Sequence, residues 1–364
     1  MIDRLSIVKA AIPLTPTRPE QMWRREWCNQ IFVKVVASGV LGWGEVLPAG
    51  GNIRDPYLGV LKRLKEAVAG KDEEDYEGIW NLMRRLTFTG GYGITTGAMS
   101  GIDIALWDIR GRKKERAIGA LIGDVGRVGR YASLSRYEGV EKLRDAVAWL
   151  RAQGYHSIKL HQTGSDTLEC VRKVREHSGR DFELMVDMNC AMPFEKAKRF
   201  MEDVHRYELK WVEEPVWPPD DFESLAKLNK IGPVAAGENF FSIFEFKRLL
   251  DERALSYYQP DITKVGGFTP LVKMMALFKK HGGKVALHNR PHNGWIGAIA
   301  SAHAASMIGG DALIETPPNE VPSRYFEVSS KVEKNEILPE GPGLGIIPKN
   351  PIPRSSKSPV LVFH

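Results

Sequence analysis

The amino-acid sequence predicts an α/β fold, a closed (β/α)7β barrel of parallel strands, on two observations. The first is an alternation: from about Val128 onward, short apolar runs alternate with amphipathic segments that are typical of helices. Eight parallel strands joined by seven crossover segments favour a closed barrel over an open sheet, and no Gly-rich turn supports a dinucleotide-binding alternative. The predicted strands are Gly129–Ser135, His156–His161, Glu183–Met188, Leu209–Glu213, Val234–Glu238, Ser256–Thr263, Lys284–Asn289 and Ala312–Thr316.

The second observation is the spacing of acidic residues at the strand ends. The runs that end at Asp187, Glu213 and Glu238 are followed by turn signals, and successive carboxylates are 26 and 25 residues apart. This interval fits one strand, one helix and two short loops, so parallel neighbours would bring the three carboxylates together. One acidic strand end is usually a helix N-cap, whereas three in register predict a cation site. Hard oxygen ligands without clustered Cys or His favour Mg²⁺ over zinc.

Ionisable residues end most of the other predicted strands as well. In a β/α barrel the chemistry takes place at the C-terminal ends of the strands, so these residues are catalytic candidates. Two residues separate Lys159 from His161, which predicts that both side chains face the same way. Asn189 stands in the same relation to Asp187. The catalytic candidates are Lys159, His161, Asp261, His288 and Glu315.

Composition limits the class of protein and its surroundings. The 364 residues, 43% of them hydrophobic, suffice for one large domain and a smaller one. The three cysteines, Cys28, Cys170 and Cys190, form no zinc pattern and predict a reducing, cytoplasmic location. No apolar run reaches the about 18 residues of a membrane span, and no secretory signal is visible. The net charge of +6 favours an anionic substrate. The charges are dispersed and form no basic arm, so neither nucleic-acid nor membrane partners are predicted.

The residues before the barrel predict strands followed by helices. Residues 1–57 are predicted to form strands with irregular insertions, and residues 56–124 are predicted to be helical. The segment Ala98–Arg112 carries apolar residues on one face of a helix. Asp103 and Asp108 in this helix are predicted to contact solvent or the neighbouring domain, outside the active site.

Two loops in this region, Pro13–Gln30 and Pro48–Asp55, leave two alternatives open. They are either plain surface connections or lids that contact a substrate. The candidates for polar contacts with a substrate are Arg18, Arg54, Asn189, Lys264, Asn289 and Arg290.

Three motifs resemble signatures of the enolase superfamily in its mandelate racemase-like branch, and the resemblance extends over essentially the whole chain. They are the helix Ala98–Arg112, the run Asp187-x-Asn189 and the run Glu213-Glu214-Pro215. The resemblance implies an α+β capping domain of residues 1–125, completed by the tail 331–364, over the mouth of a catalytic barrel of residues 126–330. It also implies that Asp187, Glu213 and Glu238 bind Mg²⁺, with Glu214 pointing away from Glu213 in a structural role.

The same resemblance implies roles for the remaining strand-end residues. Asp261 and His288 match an Asp–His dyad in which the carboxylate orients the imidazole and supports its protonated form. Glu315 matches a residue that hydrogen-bonds the substrate carboxylate. Lys159-x-His161 departs from the usual Lys-x-Lys, so either His161 replaces a lysine as base or His288 is the main acid or base.

A second departure concerns Lys264, because the muconate cycloisomerase-like branch uses a sixth-strand lysine as catalyst. Glu238, His288 and Glu315 favour the racemase-like branch instead. The implied function is Mg²⁺-dependent dehydration of an aldonate-type sugar acid to a 2-keto-3-deoxy acid by a homo-oligomeric enzyme. The alternatives are racemisation or epimerisation of a 2-hydroxy acid, and a cycloisomerase-type reaction. A catalytically silent barrel would have lost the strand-end series, which is intact here.

Overall fold

The computed structural model describes residues 1–11, 29–47, 54–123, 125–137, 139–290, 295–309, 311–318 and 326–349. Arg18 and most of the two predicted lid loops lie outside these residues. No helix in the described ranges is long and apolar enough to cross a membrane.

The N-terminal region forms a three-stranded antiparallel sheet covered by helices. The strands follow the order β1-β2-β3, and the helix α3 packs directly on β3 because both surfaces carry glycines. A Cβ atom on Gly44 would lie only 1.9 Å from the carbonyl oxygen of Gly101, so neither backbone could approach the other with a side chain between them. The elements are β1 (Ile2–Ala11), β2 (Asn29–Ala37), β3 (Val40–Val46), α1 (Arg54–Val68), α2 (Tyr76–Thr87), α3 (Ile94–Lys113) and α4 (Ile118–Ile122).

The predicted (β/α)7β barrel is confirmed. Eight strands run parallel in sequence order, and the last strand pairs with the first, which closes the barrel. The strands are β4 (Val128–Ser133), β5 (Ser157–Leu160), β6 (Glu183–Asp187), β7 (Val212–Glu213), β8 (Val234–Ala236), β9 (Tyr257–Tyr258), β10 (Lys284–Leu287) and β11 (Leu313–Thr316). The helices are α5 (Val140–Ala152), α6 (Thr167–Ser178), α7 (Phe194–Val204), α8 (Phe222–Leu228), α9 (Ile243–Asp251), α10 (Phe268–His281) and α11 (Ile296–Ala305).

Most of the strands end earlier than the sequence predicts. The predicted strand Ser256–Thr263 is reduced to Tyr257–Tyr258, because the carbonyl of Asp261 accepts the N–H groups of Lys264 and Val265 and closes a turn. The chain after β6 leaves the strand in the same way, through left-handed residues. The polar residues at the mouth of the barrel therefore come from two positions. The last residues of the strands supply Lys159, Asp187, Glu213 and Glu315, and the turns that follow supply His161, Glu238, Asp261 and His288.

An aromatic layer fills the barrel beneath this mouth. The ring of Trp211 meets Tyr131 edge-on at 5.3 Å and Tyr257 at 4.7 Å. Met185 and Ala286 complete this buried cluster from neighbouring strands. The layer closes the lower side of the polar site with apolar surface, so charges above it are poorly hydrated.

The tail contacts both parts of the molecule. Its strands are β12 (Phe326–Val328), β13 (Lys331–Val332), β14 (Glu336–Leu338) and β15 (Ile346–Pro348). Strand β14 pairs with β4 where β4 begins, at the end of that strand opposite to the mouth. Leu344 donates its N–H to the carboxylate of Asp108 on α3 (2.9 Å). The division into residues 1–125 with 331–364 and residues 126–330 stays a prediction.

Candidate active site

Lys159 lies at the centre of the acidic side of the mouth. Its ammonium Nζ is 2.5 Å from Glu213 Oε1, 3.0 Å from Glu315 Oε1 and 3.2 Å from Asp187 Oδ2, and the side chain is fully buried. Burial alone would lower the pKa of Lys159, but the carboxylates of Glu213 and Glu315 raise that pKa well above its usual value. The group is therefore a buried cation that neutralises part of a carboxylate cluster.

Strand register brings two of the predicted metal ligands together. Asp187 and Glu213 are direct partners in the parallel pairing of β6 with β7. Burial raises the pKa of Glu213 well above its usual range, whereas Lys159 and His161 outweigh burial and lower the pKa of Asp187. Adjacent carboxylates with pKa values moved in opposite directions are typical of a functional site.

Glu213 is held in place by two residues that our sequence reasoning missed. Trp211 Nε1 and Gln259 Nε2 both donate to Glu213 Oε2, at 3.1 and 2.6 Å. The signal was present in the sequence, since Trp211 and Gln259 each lie two residues before a site carboxylate. That spacing places two side chains on one face within a strand, whereas Gln259 and Asp261 both follow the end of β9.

His161 faces the same carboxylate as Lys159, as the spacing in the sequence predicts. Its Nε2 lies 3.0 Å from Asp187 Oδ2. Its Nδ1 lies within hydrogen-bonding distance of the carbonyl oxygen of Leu134, which can only accept. The Nδ1–H bond thus fixes the ring so that Nε2 points into the site.

The Asp261–His288 pair flanks the cluster on the other side. His288 Nδ1 lies 2.7 Å from Asp261 Oδ2, and Asp261 Oδ1 accepts from the N–H (2.7 Å) and hydroxyl (2.6 Å) of Thr263. Burial would lower the pKa of His288, but Glu238 and Asp261 raise it well above its usual value. His288 Nε2 contacts Glu238 Oε2 and lies 3.9 Å from Glu315 Oε2. The ring is a buried imidazolium with one nitrogen directed into the mouth.

Lys264 is a second cationic side chain beside Glu238, next to the Asp261–His288 pair. Its Nζ donates to the carbonyl oxygen of Glu238 at 3.0 Å and lies 3.9 Å from Glu238 Oε1. Burial lowers the pKa of Lys264, and the charges of Glu238 and Asp261 raise it by more. Lys264 therefore holds the backbone of a predicted metal ligand.

The predicted metal ligands have donor atoms that suit a hard divalent cation. Among the residues that the structure describes, no group of three His, Cys, Asp or Glu side chains is arranged to hold a metal ion. Asp187 and Glu213 pair with Lys159, and Glu238 pairs with His288. The donor set nevertheless fits Mg²⁺, because oxygen ligands from three consecutive strands converge among an excess of buried carboxylates. These carboxylates are Asp187, Glu213, Glu214, Glu238, Asp261 and Glu315.

Glu214 points away from Glu213, as expected, but it lies beside the site. Asn239 Nδ2 donates to both carboxylate oxygens of Glu214, Oε1 at 2.9 Å and Oε2 at 3.0 Å. Cys190 Sγ lies 3.2 Å from Oε2. Burial, followed by the charges of Glu238 and Asp187, raises the pKa of Glu214 to about 8. Glu214 thus links the turns that follow β6 and β8.

The prediction that Asn189 shares a strand face with Asp187 is wrong. Strand β6 ends at Asp187, and Asn189 has a left-handed φ of 42°. Its backbone N–H donates to Asp187 Oδ1 at 2.8 Å, while the side chain is exposed at the mouth. A turn closed by the carboxylate itself overrides the period-two pattern.

The other candidate substrate contacts lie in different places. Arg54 begins α1, and its Nε lies 3.6 Å from Asp55 on the same helix. Asn289 is buried and donates to the carbonyl oxygen of Glu315 at 3.1 Å, so it joins β10 to β11. Burial lowers the pKa of Arg290, with Glu45 and Asp261 opposing that shift, which places this guanidinium among charges of both domains.

Asp103 and Asp108 contact other segments and not solvent. Both are fully buried, and Asp103 binds Thr269 of the barrel while Asp108 binds Leu344 of the tail. Of the two alternatives predicted for them, Asp103 shows the contact with the barrel, whereas the partners of Asp108 belong to β3 and the tail.

A closed barrel with acidic and basic strand ends under an N-terminal sheet domain is the architecture of enolase-type proteins, and comparison with known proteins gives the family. Residues 6–123 match the family described as "Mandelate racemase / muconate lactonizing enzyme, N-terminal domain", and residues 142–351 match "Enolase C-terminal domain-like". The chain belongs to the mandelate racemase/muconate lactonizing enzyme family of the enolase superfamily.

Named relatives have different activities. The chain is 28% identical to an arabinonate dehydratase of Saccharolobus solfataricus over 321 residues, and this match covers 85% of each chain. It is 30% identical over 333 residues to a D-galactarolactone cycloisomerase of Agrobacterium fabrum, covering 85% of this chain and 86% of that one. A crystal structure of a racemase from Streptomyces coelicolor A3(2) with bound magnesium superposes with a TM-score of 0.81 at 25% identity, over 96% of this chain and 97% of that chain.

Proposed function

We propose that the protein is a Mg²⁺-dependent dehydratase that converts an aldonate-type sugar acid to a 2-keto-3-deoxy acid. The observation that carries the proposal is the presence of proton-transfer groups on two sides of one acidic mouth. Lys159 and His161 lie beside Asp187, and His288 lies beside Glu238. Elimination of water needs a base for the α-proton and an acid for the departing hydroxyl, and this arrangement offers both.

Asp187, Glu213 and Glu238 would hold the metal ion. Bound Mg²⁺ would supply a Lewis acid that stabilises the negative charge developing on the substrate carboxylate. The small-molecule acid substrate also fits the three cations that lie at the mouth, Lys159, Lys264 and His288.

His161 is assigned as the base that takes the α-proton. Its Nδ1–H is held by the carbonyl of Leu134, so Nε2, which lies 3.0 Å from Asp187 Oδ2, is the nitrogen that faces the site and that takes the α-proton in its unprotonated form. Lys159 is assigned a different role because its pKa is raised well above its usual value and it stays protonated. As a fixed cation it stabilises the charge left when the C–H bond breaks.

His288 is assigned as the acid. Its Nε2 proton transfers to the β-hydroxyl as the C–O bond breaks, so water leaves and an enol remains. Protonation of the enol at C3 gives the 2-keto-3-deoxy acid, which balances the reaction as substrate to keto acid plus water. Asp261 supports the imidazolium from Nδ1, and Thr263 fixes Asp261 in turn.

Cycloisomerisation is the second candidate, because one relative at 30% identity is named as a cycloisomerase. Epimerisation or racemisation of a 2-hydroxy acid needs the same proton-transfer groups on two faces and follows as a further alternative. Homo-oligomer formation and a cytoplasmic location stay predictions.

A screen of acid sugars with Mg²⁺ tests the proposal. The readout is formation of a 2-keto-3-deoxy acid, with Asp187→Asn protein and chelator-treated wild type as controls. A keto product that depends on Asp187 and on the metal supports dehydration. Full activity in the chelator-treated protein contradicts the metal assignment.

A further inference from the structure

The segment that follows the Asp261 turn is hydrogen-bonded to the helix α3 of the N-terminal region. Ser100, Asp103 and Trp107 follow one another at three- and four-residue spacing and therefore share one face of α3. That face covers the segment Gly266–Thr269, which begins five residues after Asp261. Two parts of the chain more than 150 residues apart thus meet directly behind the dyad.

Four hydrogen bonds from α3 fix this segment. Ser100 Oγ accepts the N–H of Gly266 (2.9 Å), and Asp103 accepts both the N–H (2.9 Å) and the hydroxyl (2.5 Å) of Thr269. Trp107 Nε1 donates to the same Thr269 hydroxyl at 3.0 Å. Because all of these groups are buried, each lost partner would leave a polar atom unsatisfied.

Asp103 acts as an N-cap for a helix of another domain. Helix α10 begins after Gly267, which has no side chain to cap the first turn. The Asp103 carboxylate takes the place of that missing cap by accepting the N–H of Thr269, in the first turn.

The close contact between this turn and α3 requires glycines in the turn. Gly266 and Gly267 have φ values of 104° and 90°, which favour glycine. A Cβ atom on Gly267 would lie 2.4 Å from Asp103 Oδ2. The Gly266 carbonyl accepts from Trp80 Nε1 of α2 at 3.0 Å, a further bond from the same domain.

The short turn transmits this position to the dyad. The carbonyl of Asp261 accepts from Lys264 and Val265, and the carbonyl of Ile262 accepts from Gly267. The turn is therefore braced at both ends, by His288 at Asp261 and by α3 at Thr269.

We propose that Asp103 is a positioning residue that fixes the Asp261–His288 dyad by capping α10 from the neighbouring domain. It touches neither substrate nor reacting atoms. The inference rests on the proposed function, since the position of His288 matters for catalysis only if His288 transfers a proton. The test is chosen to need no substrate, so failure of the inference and failure of the proposed function are distinguishable.

Asp108 provides a matched control on the same helix. It is equally buried and also accepts two backbone N–H groups, from Trp43 (3.0 Å) and Leu344 (2.9 Å). Those partners belong to β3 and the tail. An Asp108→Ala variant thus perturbs α3 and global stability without touching the turn that carries Asp261.

The measurement is the Nδ1–H signal of His288 in the full-length protein labelled with ¹⁵N-histidine, identified by its loss in His288→Gln. In Asp103→Ala we expect solvent exchange of this proton to rise roughly tenfold or more, because the turn opens more often. Asp103→Asn keeps an oxygen for the Thr269 N–H and should stay close to wild type. Asp108→Ala should leave the exchange rate unchanged.

A folded Asp103→Ala protein with the wild-type exchange rate overturns the proposal, and so does an equal increase in Asp108→Ala. If Asp103→Ala does not fold, Thr269→Val decides, since it removes the hydroxyl bonds and keeps the N–H bond. That variant should raise the exchange rate several-fold, and no change in it contradicts the proposed role.

Discussion

Two buried histidines, one at the mouth of the barrel and one near its base, show how differently the two regions are built. His288 lies between the carboxylates of Asp261 and Glu238, which raise its pKa well above the usual value. His303 lies on α11, where its Nδ1 accepts from the N–H of Gly119 (3.2 Å) and its Nε2 donates to the carbonyl of Leu344 (3.3 Å). Burial lowers the pKa of His303 to about 4.

Burial alone would therefore make both rings neutral, and the charged partners decide the difference. The mouth concentrates charge that can move protons, whereas the base joins three segments through a neutral ring. Changes at the mouth are expected to affect both function and stability, whereas changes to the neutral ring at the base are expected to affect stability alone.

The largest expected effect concerns the predicted metal ligands at the mouth. Asp187→Asn, Glu213→Gln or Glu238→Gln should each abolish measurable turnover, because each removes an anionic ligand of the Lewis acid. The barrel should remain folded, since its apolar core lies elsewhere. Steady-state kinetics with Mg²⁺ titration, together with circular dichroism, check this. A variant with near-normal turnover would remove that residue from the ligand set.

The second effect separates the two buried lysines of the mouth. Lys159→Met leaves three buried carboxylates without their cation and should lower the free energy of unfolding by about 3–5 kcal/mol. Lys264→Met should have a smaller effect, because the nearest carboxylate oxygen lies 3.9 Å from Lys264 Nζ. Urea unfolding in metal-free buffer measures both. Equal losses would show that the carboxylate cluster does not depend on Lys159.

The third effect tests the acid. Asp261→Asn removes the charge that supports the His288 imidazolium, so kcat should fall by roughly 10²–10⁴-fold, the usual contribution of acid–base catalysis. Exchange of the α-proton with solvent, driven by His161, should persist. Proton NMR in D₂O follows both. Simultaneous loss of turnover and exchange would mean that His288 and not His161 takes the α-proton.

The smallest effect belongs to the base of the barrel. The pKa of folded His303 is about 4, below the unfolded value of 6.5, so the unfolded chain takes up a proton first as the pH falls. The stability contribution is complete above pH 6.5 and is lost progressively toward pH 4, by up to about 3 kcal/mol.

His303→Gln should flatten the pH dependence of unfolding in this window, because a glutamine amide does not titrate. His177→Gln, at an exposed position of α6, is the control and should leave the slope unchanged. Unfolding curves at several pH values measure the slope. An unchanged slope in His303→Gln would show that another group dominates acid unfolding.

The barrel was predictable from sequence because its signals are periodic and repeated. Apolar strands that end in ionisable residues predicted the strand order and the residues that meet at the mouth, such as Lys159 with Asp187. The face of Asn189 was not predictable, because its N–H bonds to the Asp187 carboxylate and the N–H of Ala191 bonds to the carbonyl of Met188, so the chain turns after β6. Period-two reasoning does not describe a left-handed residue.

Side-chain contacts between distant segments were also not predictable from the sequence. Asp103 gave no local signal for its partner Thr269, since the two residues are 166 positions apart and meet only after the barrel has closed. Glu214 likewise acquires its position beside Asn239 from two neighbouring turns. Side-chain contacts of this kind follow from tertiary packing, which propensity and spacing do not encode.

The most direct test of the central claim is a proton NMR measurement of the reaction in D₂O with the most active acid sugar and Mg²⁺. Dehydration through an enol predicts a 2-keto-3-deoxy acid that carries one solvent deuterium at C3, and no product in Glu238→Gln. Interconversion of epimers or ring isomers by the wild type, with deuterium at C2 and without any keto acid, would contradict the dehydratase assignment.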